Sequence, residues 1–131
     1  GEVLANECMA KGVAGLILTS SVRDSRQIID LGFSVFCTNL CVCGTAKSTL
    51  GTINHVISCG DVIVHPGDLI IGDNDGVVVV PVEECSEVLE KAKARIQKEK
   101  TVMERLRKGE SLFDIYGYQS VLDGLGCVEE R

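Results

Sequence analysis

No stretch of this sequence stays apolar for the ~18 consecutive residues that a membrane-spanning helix needs, and no secretory-signal pattern occurs in it. Positive charge is in short supply. Thirteen Lys and Arg stand against nineteen Asp and Glu, a formal net charge of −6. Nucleic-acid phosphates are held by clustered Lys and Arg, so the expectation is no nucleic-acid partner and no membrane partner. Histidine is confined to His55 and His65, both in strand-like sequence, which gives a histidine base little support. There is no GxGxxG, no P-loop, no Ser-His-Asp candidate in a recognisable context and no internal repeat. An even cysteine framework is also missing: the chain has seven, Cys8, Cys37, Cys41, Cys43, Cys59, Cys85 and Cys127. That excludes the small disulfide-stapled secreted class and points to reduced thiols in the cytoplasm. Cys37-x3-Cys41-x-Cys43 is the one tempting metal cluster, but it lacks CxxC spacing and a second pair.

What the sequence does have is a core. Its 131 residues are 45% hydrophobic, enough for one folded domain and too apolar for disorder. The N-terminal third reads as helix, strand, helix, strand. Residues 2–11 form a short amphipathic helix closed by Gly12, followed by an apolar strand over 13–19. A helix over 25–31, ended by Gly32, then leads to a buried strand at 34–37. That order predicts two parallel strands joined by a crossover helix. Residues 51–81 predict short strands at 52–58, 61–65, 68–72 and 77–80, separated by Cys59-Gly60, Pro66-Gly67 and Asp73-Asn74-Asp75-Gly76. The Val77 to Val80 run, uninterrupted and β-branched, is expected to be buried on both faces. Asp73-x-Asp75-Gly76 reads as a hairpin turn; a calcium loop is ruled out because a valine strand occupies its later positions. The last third is helical, with a long helix over 83–108 stopped by Gly109 and a tail of two short helical segments over 111–125. Phe113, Tyr116 and Tyr118 of that tail are expected to pack against a neighbour.

Two places carry candidate chemistry. Arg23-Asp24 lies on the loop leaving the first strand, at the carboxyl end where open α/β folds assemble their sites. Aspartate is a hard-metal ligand and arginine a clamp for carboxylate or enolate oxygens. The competing reading makes Asp24 only the N-cap of the following helix. The second place is Glu99. Cys85, Leu89, Ala92, Ile96, Met103 and Leu106 recur in alternating steps of four and three, and the missing member of that seam is this carboxylate. A carboxylate there is paired, liganded or used, or it simply reaches solvent or an Arg.

These residues together resemble a known family. GVAGLILTSSVRD, LGFSVF, GTAKSTLG, CGDVIVHPGDLIIGDNDGVVVVP and the helix bearing Arg95 and Glu99 are similar, in order and spacing over nearly the whole chain, to the RraA-like family. That family includes class II pyruvate aldolases that cleave 4-hydroxy-4-methyl-2-oxoglutarate and 4-carboxy-4-hydroxy-2-oxoadipate. The resemblance implies an α/β fold of the swivelling β/β/α type with a long C-terminal helix, assembled as a homotrimer or homohexamer. It covers residues 1–131 as one domain, with 83–131 as the helical C-terminal region. The abrupt start at Gly1 implies that the N-terminal part of the family's domain is missing from this chain.

In the aldolase branch the signature is an acidic residue, twenty intervening residues and Arg-Asp, which here is Glu2 followed by Arg23-Asp24. The resemblance implies that Asp24 binds a divalent metal, Mg²⁺ or Mn²⁺, whose other ligands are mostly water. Glu2, and Glu99 from an adjacent subunit, would hold that water. Backbone N–H groups near Val3 and Leu4 would hold the substrate carboxylate, and Arg23 would stabilise a pyruvate enolate. The implied activity is retro-aldol cleavage of a 2-keto acid, or decarboxylation of oxaloacetate. The chain departs from the pattern at Gln27, where an acidic residue is usual, at Thr19-Ser20-Ser21, where Asp-Gly is common, and at Ser34, where proline is expected. The alternative function is that of the name-giving branch, a non-enzymatic protein that binds and inhibits the endoribonuclease RNase E. That branch tends to lose the Asp after the Arg, which this chain keeps. An older label for the family, methyltransferase in menaquinone synthesis, finds no Gly-rich dinucleotide-type loop here.

Overall fold

The computed structural model describes residues 1–126. The chain divides into two compact units, residues 1–83 and 84–131.

The first unit opens with α1 (Glu2–Ala10), β1 (Gly15–Val22), α2 (Ser25–Asp30) and β2 (Ser34–Leu40). β1 and β2 pair in parallel, Gly15 opposite Ser34 and Leu18 opposite Cys37, as the helix-strand-helix-strand reading predicts. Both helices end as the sequence says, and the cause is local. Gly12 and Gly32 take φ of +74° and +69°, where a side chain is strained. The turn past α2 is a Schellman closure: Phe33 N–H donates to the Ile28 carbonyl at 3.4 Å and Gly32 N–H to Ile29 at 2.9 Å. The apolar contact that accompanies such a closure is present too, because Ile28 and Phe33 are both buried in one cluster with Ala5 and Val22.

That cluster is the core between the two helices and one face of the strands. Alternation assigns the faces: Leu16, Leu18, Val35 and Cys37 pack against it. Ile17 and Phe36, at the intervening positions, serve the opposite face. There the chain adds two antiparallel hairpins, β3 (Ile57–Cys59) with β4 (Val62–Val64), and β5 (Leu69–Gly72) with β6 (Val77–Val80). Ile17, Ile57, Val62, Val64, Ile70 and Val77 are among the residues lining an apolar cavity of about 240 Å³ between strands and hairpins. β5 comes closest at Gly72, where an added Cβ would lie 2.5 Å from Cζ of Phe36. Gly72→Ala is therefore expected to destabilise the first unit by about 1–3 kcal/mol through overpacking, measured as a shift in the urea unfolding midpoint; an unchanged midpoint would contradict this packing.

Several expectations need correction. Thr52 to Ser58 is not one strand: only Ile57–Cys59 pairs, because its partner β4 is three residues long. The Val77 to Val80 strand is not buried on both faces. β6 has a single neighbour, β5; Val80 is buried, but Val78 is 59% exposed. The 73–76 turn is as expected, and the Asp73 carboxylate is spent on it, accepting from the N–H groups of Asp75 (2.8 Å) and Gly76 (3.3 Å).

The second unit holds α3 (Cys85–Arg107), entered through a 3-10 turn at Val82–Glu84, then α4 (Leu112–Tyr116) and α5 (Tyr118–Gly124). Gly109 closes α3 in the same Schellman pattern, but here an ion pair replaces the apolar contact. Arg105 Nη2 reaches Glu110 Oε2 at 2.6 Å, which holds the Glu110 carboxyl below the usual glutamate range. Along α3 the predicted seam is open: Leu89, Ile96 and Met103 are about half exposed. The three aromatics of the tail pack on one another, with Tyr118 centred 6.2 Å from Phe113 and 5.6 Å from Tyr116. Among the described residues no helix is long and apolar enough to cross a membrane. Cys127 lies outside the described residues.

Candidate active site

β1 runs further than the apolar run suggests, through Ser20 and Ser21 to Val22, so Arg23 and Asp24 leave its carboxyl end directly. The pairing shifts between Leu18 and Ser21: their partners are Cys37 and Asn39, so the β1 side carries one extra residue. Bulges of this kind re-aim the residues that follow them. Thr38 Oγ1 secures this one by donating to the Ser20 carbonyl at 3.1 Å. Val22 beyond it is buried, and its carbonyl accepts from Cys41 N–H at 3.0 Å. The ends of β1 and β2 are thereby tied together at one edge.

Asp24 sits at the N-cap position of α2 with φ 60° and ψ 36°, the left-handed region, and makes no side-chain cap bond to that helix. The simple N-cap reading of Asp24 is thus corrected. Its carboxylate turns to the other helix: Oδ2 accepts from Glu2 N–H at 3.1 Å, at the opening of α1. Arg23 Nε lies 3.5 Å from the same oxygen. A carboxylate over a helix N-terminus satisfies an otherwise unpaired amide and meets the positive end of the helix dipole. The approach is close, since a Cβ at Gly1 would collide with Asp24 Oδ2. Among the described residues Oδ1 has no hydrogen-bond partner. A non-glycine residue held left-handed stores on the order of 1 kcal/mol of strain, and such strain gathers at functional sites.

An open cleft of about 580 Å³ lies here, lined by Val22, Arg23, Asp24, Ser25, Leu40, Cys41 and Val42. Arg23 and Asp24 are partly exposed, with side-chain accessibilities of 44% and 38%. The structure brings Glu2, Arg23 and Asp24 together across the twenty residues that separate them in sequence. Of the two amides expected to bind an anion, Leu4 N–H already donates to the Gly1 carbonyl at 3.1 Å, while Val3 N–H has no partner among the described residues. Glu99 belongs to the second unit, where Arg95 Nε donates to its Oε1 at 2.8 Å. The seam anomaly is therefore answered within the helix by an i, i+4 pair that is exposed on both sides.

Sequence reasoning missed the far wall of the cleft, residues 40–42. Cys41 entered only as a possible zinc ligand, and that cluster does not form. Cys37 packs against the core while Cys41 and Cys43 are exposed, and no group of three metal-ligating side chains occurs among the described residues. The signal was available in the parallel pairing itself, which puts the exits of β1 and β2 at one edge. Cys43 holds the Cys41 thiol below the usual cysteine range, chiefly through its backbone hydrogen bond and next through its side chain.

Comparison with known proteins adds four findings. The family model described as "RraA-like: Aldolase/RraA" matches residues 1–79. An uncharacterized protein of Methanocaldococcus jannaschii is 42% identical over 105 residues, 80% of this chain and 50% of that protein. A protein of Halalkalibacterium halodurans named "Putative 4-hydroxy-4-methyl-2-oxoglutarate aldolase" is 39% identical over 95 residues, 72% of this chain and 45% of its own length. Among solved structures, Streptomyces coelicolor RraAS2, described as an unusual member of the RNase ES inhibitor RraA protein family, superposes with a TM-score of 0.73. It is 31% identical and the match covers 80% of this chain and 54% of that one. The chain spans about half the length of the relatives it matches.

Proposed function

The chain belongs to the RraA-like family, and from that membership we propose that the full-length protein is a divalent-metal-dependent lyase. It cleaves a 4-hydroxy-4-methyl-2-oxoglutarate-type aldol, or decarboxylates oxaloacetate, by way of a pyruvate enolate. We place it in the cytoplasm as a homotrimer or homohexamer. The observation that carries this reading is Asp24: a carboxylate on a left-handed backbone, at the exit of β1, with Arg23 beside it in an open cleft.

The donor set fits the group that this reading requires. Asp24 is a single hard oxygen ligand with Oδ1 unpaired among the described residues. Mg²⁺ and Mn²⁺ favour such ligands, and Mg²⁺ commonly takes only one or two carboxylates and keeps much of its water. A bound ion there would supply Lewis-acid polarisation of the keto acid. The chain's own residues do the rest. Arg23 offers a fork of N–H donors to the oxygen on which enolate charge develops as the carbon–carbon bond breaks. Val3 N–H, in the first turn of α1, donates to the substrate carboxylate, where the helix dipole favours an anion. Glu2, and Glu99 contributed by an adjacent subunit, orient the water that takes the proton from the C4 hydroxyl. The enolate then regains a proton to give pyruvate.

The test is pyruvate release by the full-length protein from both substrates, with Mg²⁺ or Mn²⁺ and with EDTA. Turnover that appears with metal and stops with chelator supports the lyase; no turnover from the assembled, metal-loaded protein sinks it. Arg23→Lys keeps the charge but loses the planar fork. It is expected to lower kcat about a hundredfold, with KM changed far less; a raised KM with kcat unchanged would assign Arg23 to ground-state binding instead. One observation favours a second reading. The solved relative at 31% identity is described by an RNase ES inhibitor family, so loss of the lyase would move the weight to binding and inhibition of an endoribonuclease.

A further inference from the structure

The charged side chains of the cleft, Arg23 and Asp24, stand at the exit of β1, and the exit of β2 supplies an apolar wall of Leu40, Cys41 and Val42. Leu40 and Val42 are exposed there, although both are large and apolar. The cleft does not end at this wall. Val22, Ser25 and Leu40 also line a second pocket, of about 270 Å³, so the two are continuous. The second pocket lies between α2 and β2. Ile29 and Val35 line it, and Ile28 and Phe33, both buried in the core, close its base. Among the described residues no charged side chain lines it, and Ser25 brings its single hydroxyl. Ile29 is 70% exposed, so a second bulky apolar side chain joins Leu40 in facing solvent at this pocket. An apolar cavity of ~150 Å³ already admits benzene, which leaves room here for an alkyl chain.

We propose that this pocket holds the distal part of the substrate, and that the substrate is a 4-hydroxy-2-oxo acid carrying an uncharged alkyl group on C4. The proposal rests on the lyase reading and leaves the keto-acid head where that reading puts it, at Arg23, Asp24 and the opening of α1. An amphiphilic molecule matches a cleft that is charged at one strand exit, apolar at the other and continued by an apolar pocket. Its alkyl group lies against Ile29 and Leu40, whose exposed surface it removes from water. A second carboxylate in place of that group would enter the pocket without a counter-charge. Arg23 is the one cationic residue lining the cleft among the described residues, and it already lies beside Asp24. Taking an unpaired charge out of water is strongly unfavourable. In the reaction the C3–C4 bond breaks and its electron pair passes to C3 as the enolate, which takes up a proton to give pyruvate. The C4 hydroxyl gives its proton to water, and C4 leaves as an aldehyde that bears the alkyl group.

The test compares kcat/KM of the full-length, metal-loaded protein for pyruvate release from 4-hydroxy-2-oxo acids with methyl, propyl or carboxylate on C4. Oxaloacetate, which has no carbon beyond C4, is assayed beside them. Propyl is expected to exceed methyl about tenfold, from two further methylenes taken out of water, and carboxylate is expected to fall below methyl. Ile29→Arg sets a cation at the pocket from an exposed position on α2. In that variant the order is expected to invert, with carboxylate above propyl. Equal rates for methyl and propyl in the wild type would overturn the proposal, because a pocket covered by another part of the assembled protein gives that result. A wild-type preference for carboxylate, or an order that Ile29→Arg leaves as it was, would overturn it as well. So would turnover of oxaloacetate with none of the three aldols cleaved. In each of these cases pyruvate release from at least one substrate leaves the lyase standing; no pyruvate from any of them ends the lyase reading and the pocket assignment together. The wild-type series decides the matter even if the variant fails to fold.

Discussion

Asp24→Asn in the full-length protein is expected to lower kcat/KM for metal-dependent pyruvate release by about a thousandfold. A Lewis acid contributes several kcal/mol at the transition state, and each 1.36 kcal/mol is a factor of ten. Asparagine is the informative replacement because it separates charge from structure. The Asp24 backbone is left-handed, a conformation that Asn tolerates and that costs Ala on the order of 1 kcal/mol. An Asn side-chain oxygen can still accept from Glu2 N–H, the bond that Asp24 Oδ2 makes at 3.1 Å and whose loss would destabilise α1 by about 1 kcal/mol. Asp24→Ala removes the metal ligand and this structural bond together; Asp24→Asn removes the negative charge alone. The urea midpoint of Asp24→Asn should therefore stay near that of the wild type while activity collapses and the stimulation by Mg²⁺ or Mn²⁺ disappears. Activity retained within about tenfold would show that Asp24 is a helix-capping residue and nothing more. That outcome would leave Arg23 without a chemical partner and return the cleft to the protein-binding reading.

The parts of the fold legible in the sequence are those that local chemistry dictates. Gly12, Gly32 and Gly109 mark helix ends because each closure needs a positive φ, and that demand is written in a single residue. The parallel pairing of β1 with β2 follows from helix and strand order. What escaped was set by distant partners. Nothing in Val77 to Val80 says that only one strand will lie beside it, so Val78 reads as core yet is exposed. Glu99 reads as an anomaly in an apolar seam, although Arg95 one turn away answers it. The candidate site divides in the same way. Arg23-Asp24 could be marked from its place after a buried strand. That the Asp24 carboxylate would turn from α2 to α1 depends on a contact between residues 24 and 2, and no pattern within either segment encodes it.

The core behind the cleft sets the other large expected effect. Phe33→Ala should destabilise the first unit by about 3–4 kcal/mol, read from urea unfolding of the full-length protein. Phe33 is 7% exposed and packs with Ala5, Val22 and Ile28, one buried residue each from α1, β1 and α2, and none of the four is large except Phe33 and Ile28. A core with so few bulky members has little with which to fill the hole, so the loss falls at the upper end for a large-to-small change. It is also a large share of the roughly 5–15 kcal/mol that holds a typical domain together. The position also bears on the site, because the cluster that Phe33 anchors holds Val22, next to Arg23. Losing the ring loosens the floor under Arg23-Asp24, so Phe33→Ala should reduce lyase turnover although it touches no substrate. Phe33→Leu, which keeps much of the volume, should recover most of the stability and the turnover with it. Recovery of stability without turnover would separate the core from the site; a loss below about 1 kcal/mol in Phe33→Ala would mean that the cluster is not what holds the end of β1 in place.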